Sequence, residues 1–169
     1  MNYNDEKIRQ EQLLRCVPDI YDFQDCLYIG AHFHFGRNIQ CGRLFKDIEI
    51  VEVFHENVKQ LRAAGFTVHH SDIMAFAPER CYDVSMFWHG PEHLTKEQFP
   101  VLLEKLKKCT LNLIVFATPF GHYEQGPEYG NKHEKHLSDW RAEDFEMYGL
   151  EADEMGTEYN GNVIAWLRL

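Results

Sequence analysis

The chain has 169 residues, 44% of them apolar and 26% charged, and a formal net charge of −10 at pH 7. That is enough chain for one domain with its own core, and an acidic balance with no offsetting basic cluster argues against a nucleic-acid partner. No apolar run approaches the roughly 20 residues of a membrane span, and the charged opening MNYNDEKIRQEQ is unlike a secretory signal, so the expectation is a cytoplasmic protein without membrane contact.

In chain order, residues 3–16 carry an amphipathic pattern that predicts a helix stopped before Pro18. CLYIG predicts a short strand closing at Gly30, followed by the loop AHFHFGRN and a modest helix over 36–46. Cys41 lies just past that loop; the five cysteines are odd in number, scattered and without a CxxC, which fits reduced thiols. IEIVEV, 48–53, is rich in β-branched residues and predicts the second strand. HENVKQLRAAG places Val58, Leu61 and Ala64 at helical spacing, with Gly65 as the stop. FTVHH predicts a third strand and YDVSMFWH, 82–89, a fourth. Thr95 and Gln98 have the spacing of a capping box, and the regular helix begins either there or at Pro100. LNLIVFATP, 111–119, is the most apolar run and reads as a strand buried on both faces. A long polar loop over 120–140 and a short helix ending at Gly149 follow. LEADEMG and NVIAWLRL flank Asn160–Gly161, a two-residue hairpin signal.

Strand–helix alternation closed by a hairpin predicts one α/β domain over 1–169, with a mostly parallel seven-stranded sheet and an antiparallel last strand. Ligands of such sheets bind beyond the carboxyl ends of the strands. The residues at those ends are Gly30, Glu52–Val53, Asp72, Trp88–His89 and Thr118–Pro119. Gly30 lets a ligand approach the backbone. Glu52 can accept two hydrogen bonds from ribose hydroxyls. The Asp72 carboxylate suits the exocyclic amine of an adenine.

With those residues in place, the sequence resembles the class I S-adenosylmethionine-dependent methyltransferases from about Asp25 to Leu169. LYIG looks like the family's glycine-loop strand, and IVEVFHENVKQLRAAG is similar to its second motif, with Glu52 as the ribose acid. HHSDIMAF resembles the third motif, and YDVSMFWHGPEHL the fourth. The resemblance implies a Rossmann-like three-layer sandwich that takes S-adenosylmethionine as cofactor and methylates a small-molecule acceptor. It assigns the cofactor to Tyr28, Gly30, Ala31 and His32, to Glu52 and Val53, to Asp72 and Ile73, and to Trp88 and His89. Two positions depart from the pattern. Tyr28 stands where the family has an acid, and Gly30-Ala31-His32 replaces Gly-x-Gly. Either the loop is re-routed through HFHFGR, with Gly36 giving freedom and Arg37 pairing with a carboxylate, or binding is lost.

His93, in PEHL, is the catalytic candidate: a neutral imidazole there can take a proton from the acceptor. The other reading of Glu92 and His93 is a helix cap. Trp88 either stacks on the adenine or belongs to the core. His32-x-His34, His89-x3-His93 and His133-x2-His136 have conceivable ligand spacings. Extended-loop alternation points the first pair apart, Gly90–Pro91 breaks a helical face in the second, and the third lies in polar loop, so no metal is expected. The 120–140 loop, with Tyr123, Tyr129, His133 and His136, is either a lid or a surface excursion. Two functions stay open: a methyltransferase, or a non-catalytic nucleoside-binding module acting as sensor or partner subunit, which Tyr28 and His32 favour.

Overall fold

The computed structural model describes residues 11–31, 44–122, 124–127, 130–156 and 161–169. Seven strands form one sheet: β1 (Asp25–Ile29), β2 (Asp47–Glu52), β3 (Thr67–His70), β4 (Tyr82–Trp88), β5 (Thr110–Pro119), β6 (Glu151–Met155) and β7 (Asn162–Arg168). Their order is β3-β2-β1-β4-β5-β7-β6. The pairs from β3 through to β5 are parallel, whereas β7 runs antiparallel to both β5 and β6. This is the mostly parallel sheet with an antiparallel last strand that the alternation of elements predicts.

Strand side chains alternate between two cores. Cys26 and Tyr28 of β1 join Leu13, Val17, Val58 and Leu61 on one face. Leu27 and Ile29 join Phe99, Leu102 and Leu106 on the other. Helix α1, described over 11–16, and α2 (His55–Ala63) cover the first face. Helices α3 (Gln98–Lys107) and α4 (Ala142–Glu146) cover the second. The result is three layers, with the sheet buried on both sides.

Local signals place most element ends. Gly65 (φ 94) and Gly149 (φ 81) turn left-handed just after α2 and α4, where a side chain would be strained. Gln98 Oε1 accepts from the Thr95 N–H at 2.9 Å, one half of the expected capping box. The helix begins at Gln98, so Pro100 falls in its first turn, where a missing N–H breaks no bond. His69 is used within the sheet: its Nε2 lies 2.7 Å from Glu49 Oε2, while Arg80 Nε donates to Glu49 Oε1 at 2.8 Å.

Some expectations fall outside the described residues: the start of the first helix, most of the 36–46 helix, and the hairpin tip at 157–160. Residues 45 and 46 are not helical. The 120–140 segment closes on itself, since Phe120 and Gly121 both bridge Trp140, and it contains a 3-10 turn at Lys132–Glu134. Among the described residues no helix is long and apolar enough to cross a membrane.

Phe99 is the hub of the second core. It is fully buried, with ring centroids 4.8 Å from Trp140, 4.9 Å from Phe116 and 5.3 Å from Phe145. Phe99→Ala is expected to cost about 3–5 kcal/mol, read as a lowered urea midpoint at unchanged slope.

Candidate functional site

The strand order reverses at β1 and β4: the chain moves from β1 out to β3, then returns to β4 on the other side of β1. Helices α2 and α3, on the two sides of the reversal, cover opposite faces, the arrangement that in open α/β sheets sets a ligand crevice at the carboxyl ends of the two strands, here β1 and β4. The sequence candidates sit on the ends of the strands beside it.

At the end of β1, Gly30 has φ 69 and its N–H donates to the Val51 carbonyl at 2.9 Å. A Cβ there would stand 3.2 Å from Phe87 Cε2. Ala31 and Tyr28 are both buried; Tyr28 packs in the first core, under α1 and α2. His32, Gly36, Arg37 and Cys41 lie outside the described residues.

At the end of β2, Glu52 is only 4% exposed. Its Oε1 accepts from the Phe54 N–H at 2.7 Å. Burial pushes its carboxyl up to about 7; the Phe54 N–H opposes this and the nearby Glu134 charge adds to it. Val53 is half-buried, and its carbonyl lies 3.2 Å from His70 Nε2. At the end of β3, exposed Asp72 accepts from the Met74 N–H through Oδ1 at 2.8 Å. Ile73 is buried, and its carbonyl accepts from Lys105 Nζ at 3.0 Å, as does that of Phe76 at 2.9 Å. One ammonium thus pins the turn that presents Asp72.

At the end of β4, Trp88 is half-buried against the first core, as a core residue would be. His89 is left-handed (φ 49), unusual for a side chain with a Cβ, and its N–H donates to the Ala117 carbonyl at 2.8 Å. Gly90 follows, and a Cβ on it would fall 1.9 Å from the Phe87 ring. Phe87 therefore sits against both Gly30 and Gly90, the residues leaving the two strands of the crevice. Beyond them comes the 3-10 turn Pro91–His93.

This turn holds groups that spacing alone did not single out together. Glu92 is 2% exposed; His89 Nδ1 lies 3.3 Å from its Oε1. Burial pushes its carboxyl up, but the His89 hydrogen bond and the His89 and His93 charges outweigh that and hold it below the usual range. The 120–140 segment is laced onto the turn. Leu137 and Ser138 donate their N–H groups to the Glu92 carbonyl at 2.7 and 3.2 Å, and Ser138 Oγ donates to the Leu94 carbonyl at 2.6 Å. His93 Nδ1 lies 3.2 Å from the Lys135 carbonyl, and His136 comes beside His93, ring centroids 5.2 Å apart. His133 is on the neighbouring 3-10 turn. Thr118, at the end of β5, is buried, and its Oγ1 has no hydrogen-bond partner among the described residues. Glu92 and His136 were the residues missed as a pair with His93: 43 positions separate 93 from 136, and only the folded loop joins them.

No family model matches the sequence, and no curated protein matches it. Solved structures do. The N-methyltransferase NodS of Bradyrhizobium japonicum, in complex with S-adenosyl-L-homocysteine, is similar at TM-score 0.69 and 14% identity, over 97% of this chain and 87% of that one. A S-adenosylmethionine-dependent methyltransferase of Clostridium acetobutylicum is similar at TM-score 0.67 and 11% identity, over 100% of this chain and 92% of the other. A DhpI–SAM–HEP complex gives TM-score 0.68 and 14% identity, over 91% and 82%. At such identities the likeness establishes a shared fold.

Two outcomes follow from this geometry. Gly90→Ala, which drives a methyl into Phe87, is expected to lower stability by about 1–3 kcal/mol in urea unfolding. The Glu52 carboxyl lies near 7 in the fold against an ordinary 4.5, so the folded state holds its proton more tightly. That contribution is fully present below about pH 4.5 and fades as pH rises through about 7. Glu52→Gln is expected to remove the loss, gaining up to about 3 kcal/mol on wild type between pH 5 and pH 8.

Proposed function

We propose that the chain binds S-adenosylmethionine at the carboxyl ends of β1–β4 and serves as a methyltransferase for a small-molecule acceptor. The observation that carries this reading is Glu52, a carboxylate enclosed at the end of β2 beside the strand reversal, with a backbone turn of left-handed glycine across from it on β1. The neighbours in solved structures add to it, since S-adenosylmethionine or its demethylated product occupies two of those described above.

The residues fit an adenosyl group. Gly30 offers its exposed backbone without a Cβ. Glu52 accepts from ribose hydroxyls once it is ionised. Asp72 has one oxygen committed to Met74 and keeps the other for an adenine amine. When bound, S-adenosylmethionine supplies a methyl already activated on a sulfonium, so the protein needs no nucleophile of its own; its task is alignment and exclusion of water. The 120–140 segment, laced to the β4 turn, closes the acceptor end of the crevice in the manner of a lid. His93 stands at that end. A carbonyl only accepts, so the contact with Lys135 puts the ring proton on Nδ1 and leaves the lone pair on Nε2.

A non-catalytic binding module is the second reading. Its support is Tyr28, a core residue where the resembled family carries an acid for the cofactor's amino group. An acceptor screen with labelled methyl donor separates the two.

Calorimetric titration with S-adenosylhomocysteine tests the shared premise. Binding is expected, weakened about 10- to 100-fold by Glu52→Gln through loss of charge-assisted hydrogen bonds. It is also expected to tighten roughly tenfold from pH 6 to pH 8 as Glu52 ionises. Absence of heat with S-adenosylhomocysteine, or unchanged affinity in the variant, overturns the assignment.

A further inference from the structure

The Pro91–His93 turn and the segment around His136 meet through more contacts than a helix cap requires. One potential ligand atom from each of Glu92, His93 and His136 lies within 4.8 Å of the other two. Ligands about 2.1 Å from a common ion in tetrahedral array stand roughly 3.4 Å apart, so closure asks for at most about 1.4 Å, within reach of side-chain torsions.

We propose that Glu92, His93 and His136 form a site for one divalent transition-metal ion of the imidazole-preferring class, zinc being the reference member.

Three independent features support it. The first is Glu92 itself: enclosed to 2% exposure, with an Oε2 that has no hydrogen-bond partner among the described residues. A buried carboxylate oxygen without a partner is costly, and a cation satisfies it. The second is the tautomer of His93. Nδ1–H donates to the Lys135 carbonyl, which leaves Nε2 as the coordinating atom and fixes the ring, the usual outer contact of a metal-bound histidine. The third is the backbone on either side of His136. Residue 135 is tied to the His93 ring, residue 137 to the Glu92 carbonyl, and the His136 N–H itself to the Gln125 carbonyl at 3.0 Å. The third ligand is therefore brought to the other two by main-chain bonds that need no ion. The rings of His93 and His136 meet edge-on at 67°.

Two imidazoles and one carboxylate suit zinc and its neighbours rather than magnesium or calcium, which prefer oxygen-rich shells. Three protein ligands leave a coordination position for water or a substrate oxygen. Metal on Nε2 occupies the lone pair a proton acceptor would need, so in the metal-bound protein His93 is a ligand and not a base.

The test uses untagged protein stripped with a chelator, then titrated with zinc against a chromophoric competitor, with magnesium as the contrast. One zinc per chain is expected, with no measurable uptake of magnesium at the same concentration. His136→Ala, in a half-exposed segment, is expected to weaken zinc binding at least tenfold and to abolish the zinc-dependent rise in melting temperature. His133→Ala, from the same loop, is expected to bind as wild type. Equal melting temperatures of wild type and His136→Ala without zinc show that the variant is folded. Sub-stoichiometric uptake overturns the proposal, and so does wild-type affinity in His136→Ala, which would place the ion on other histidines. No nucleoside is present in these titrations, so their failure and the failure of the S-adenosylmethionine reading are separate results.

Discussion

A right-handed crossover can lay its helix on only one face of a sheet, and the direction of travel along the sheet decides which. Here the chain travels one way from β1 to β3 and the other way from β4 to β5, with the helices divided between the faces accordingly. Among the described residues no connection bridges the ends of β1 and β4, and the reversal there is a consequence of connectivity, not of any one side chain. The described candidates at the strand ends, Gly30, Glu52 and His89 among them, lie beside that reversal.

Phe87 shows how narrow the tolerances at that reversal are. Its ring belongs to the second core, yet it rests against both Gly30 and Gly90. Two glycines just past different strands are thus set by one aromatic side chain. The left-handed His89 between Phe87 and Gly90 is part of the same tight exit from β4. Strain of this kind persists where surrounding packing over-determines the backbone, which the two flanking cores do here.

The fold was legible because its signals are local. Ile48 to Val53 and Leu111 to Pro119 are apolar or β-branched runs of strand length, and Gly65 and Gly149 mark helix ends whatever lies around them. The positions of Glu52 and Asp72 at strand ends were legible for the same reason. What no spacing could give is environment. Burial raises the Glu52 carboxyl, and the charge of Glu134, far along the chain, adds to it. Tyr28 reads as a site residue by position, but strand alternation turns it into the first core. Spacing relates each histidine only to its near neighbours in sequence. The loop instead sets His136 against His93, because Leu137 and Ser138 bind the Glu92 carbonyl.

β7 has a consequence for biosynthesis. It lies between β5 and β6, and β6 pairs with the sheet through β7. A ribosome delivers β6 before β7, the strand that pairs with it among the described residues, exists. Until residues 162–168 emerge, β5 keeps a raw hydrogen-bonding edge, ten residues long and almost wholly apolar at its centre. The nascent chain can assemble β1 to β5 vectorially, but it must then wait, sticky along one border, for its latest strand to slide in and seal it.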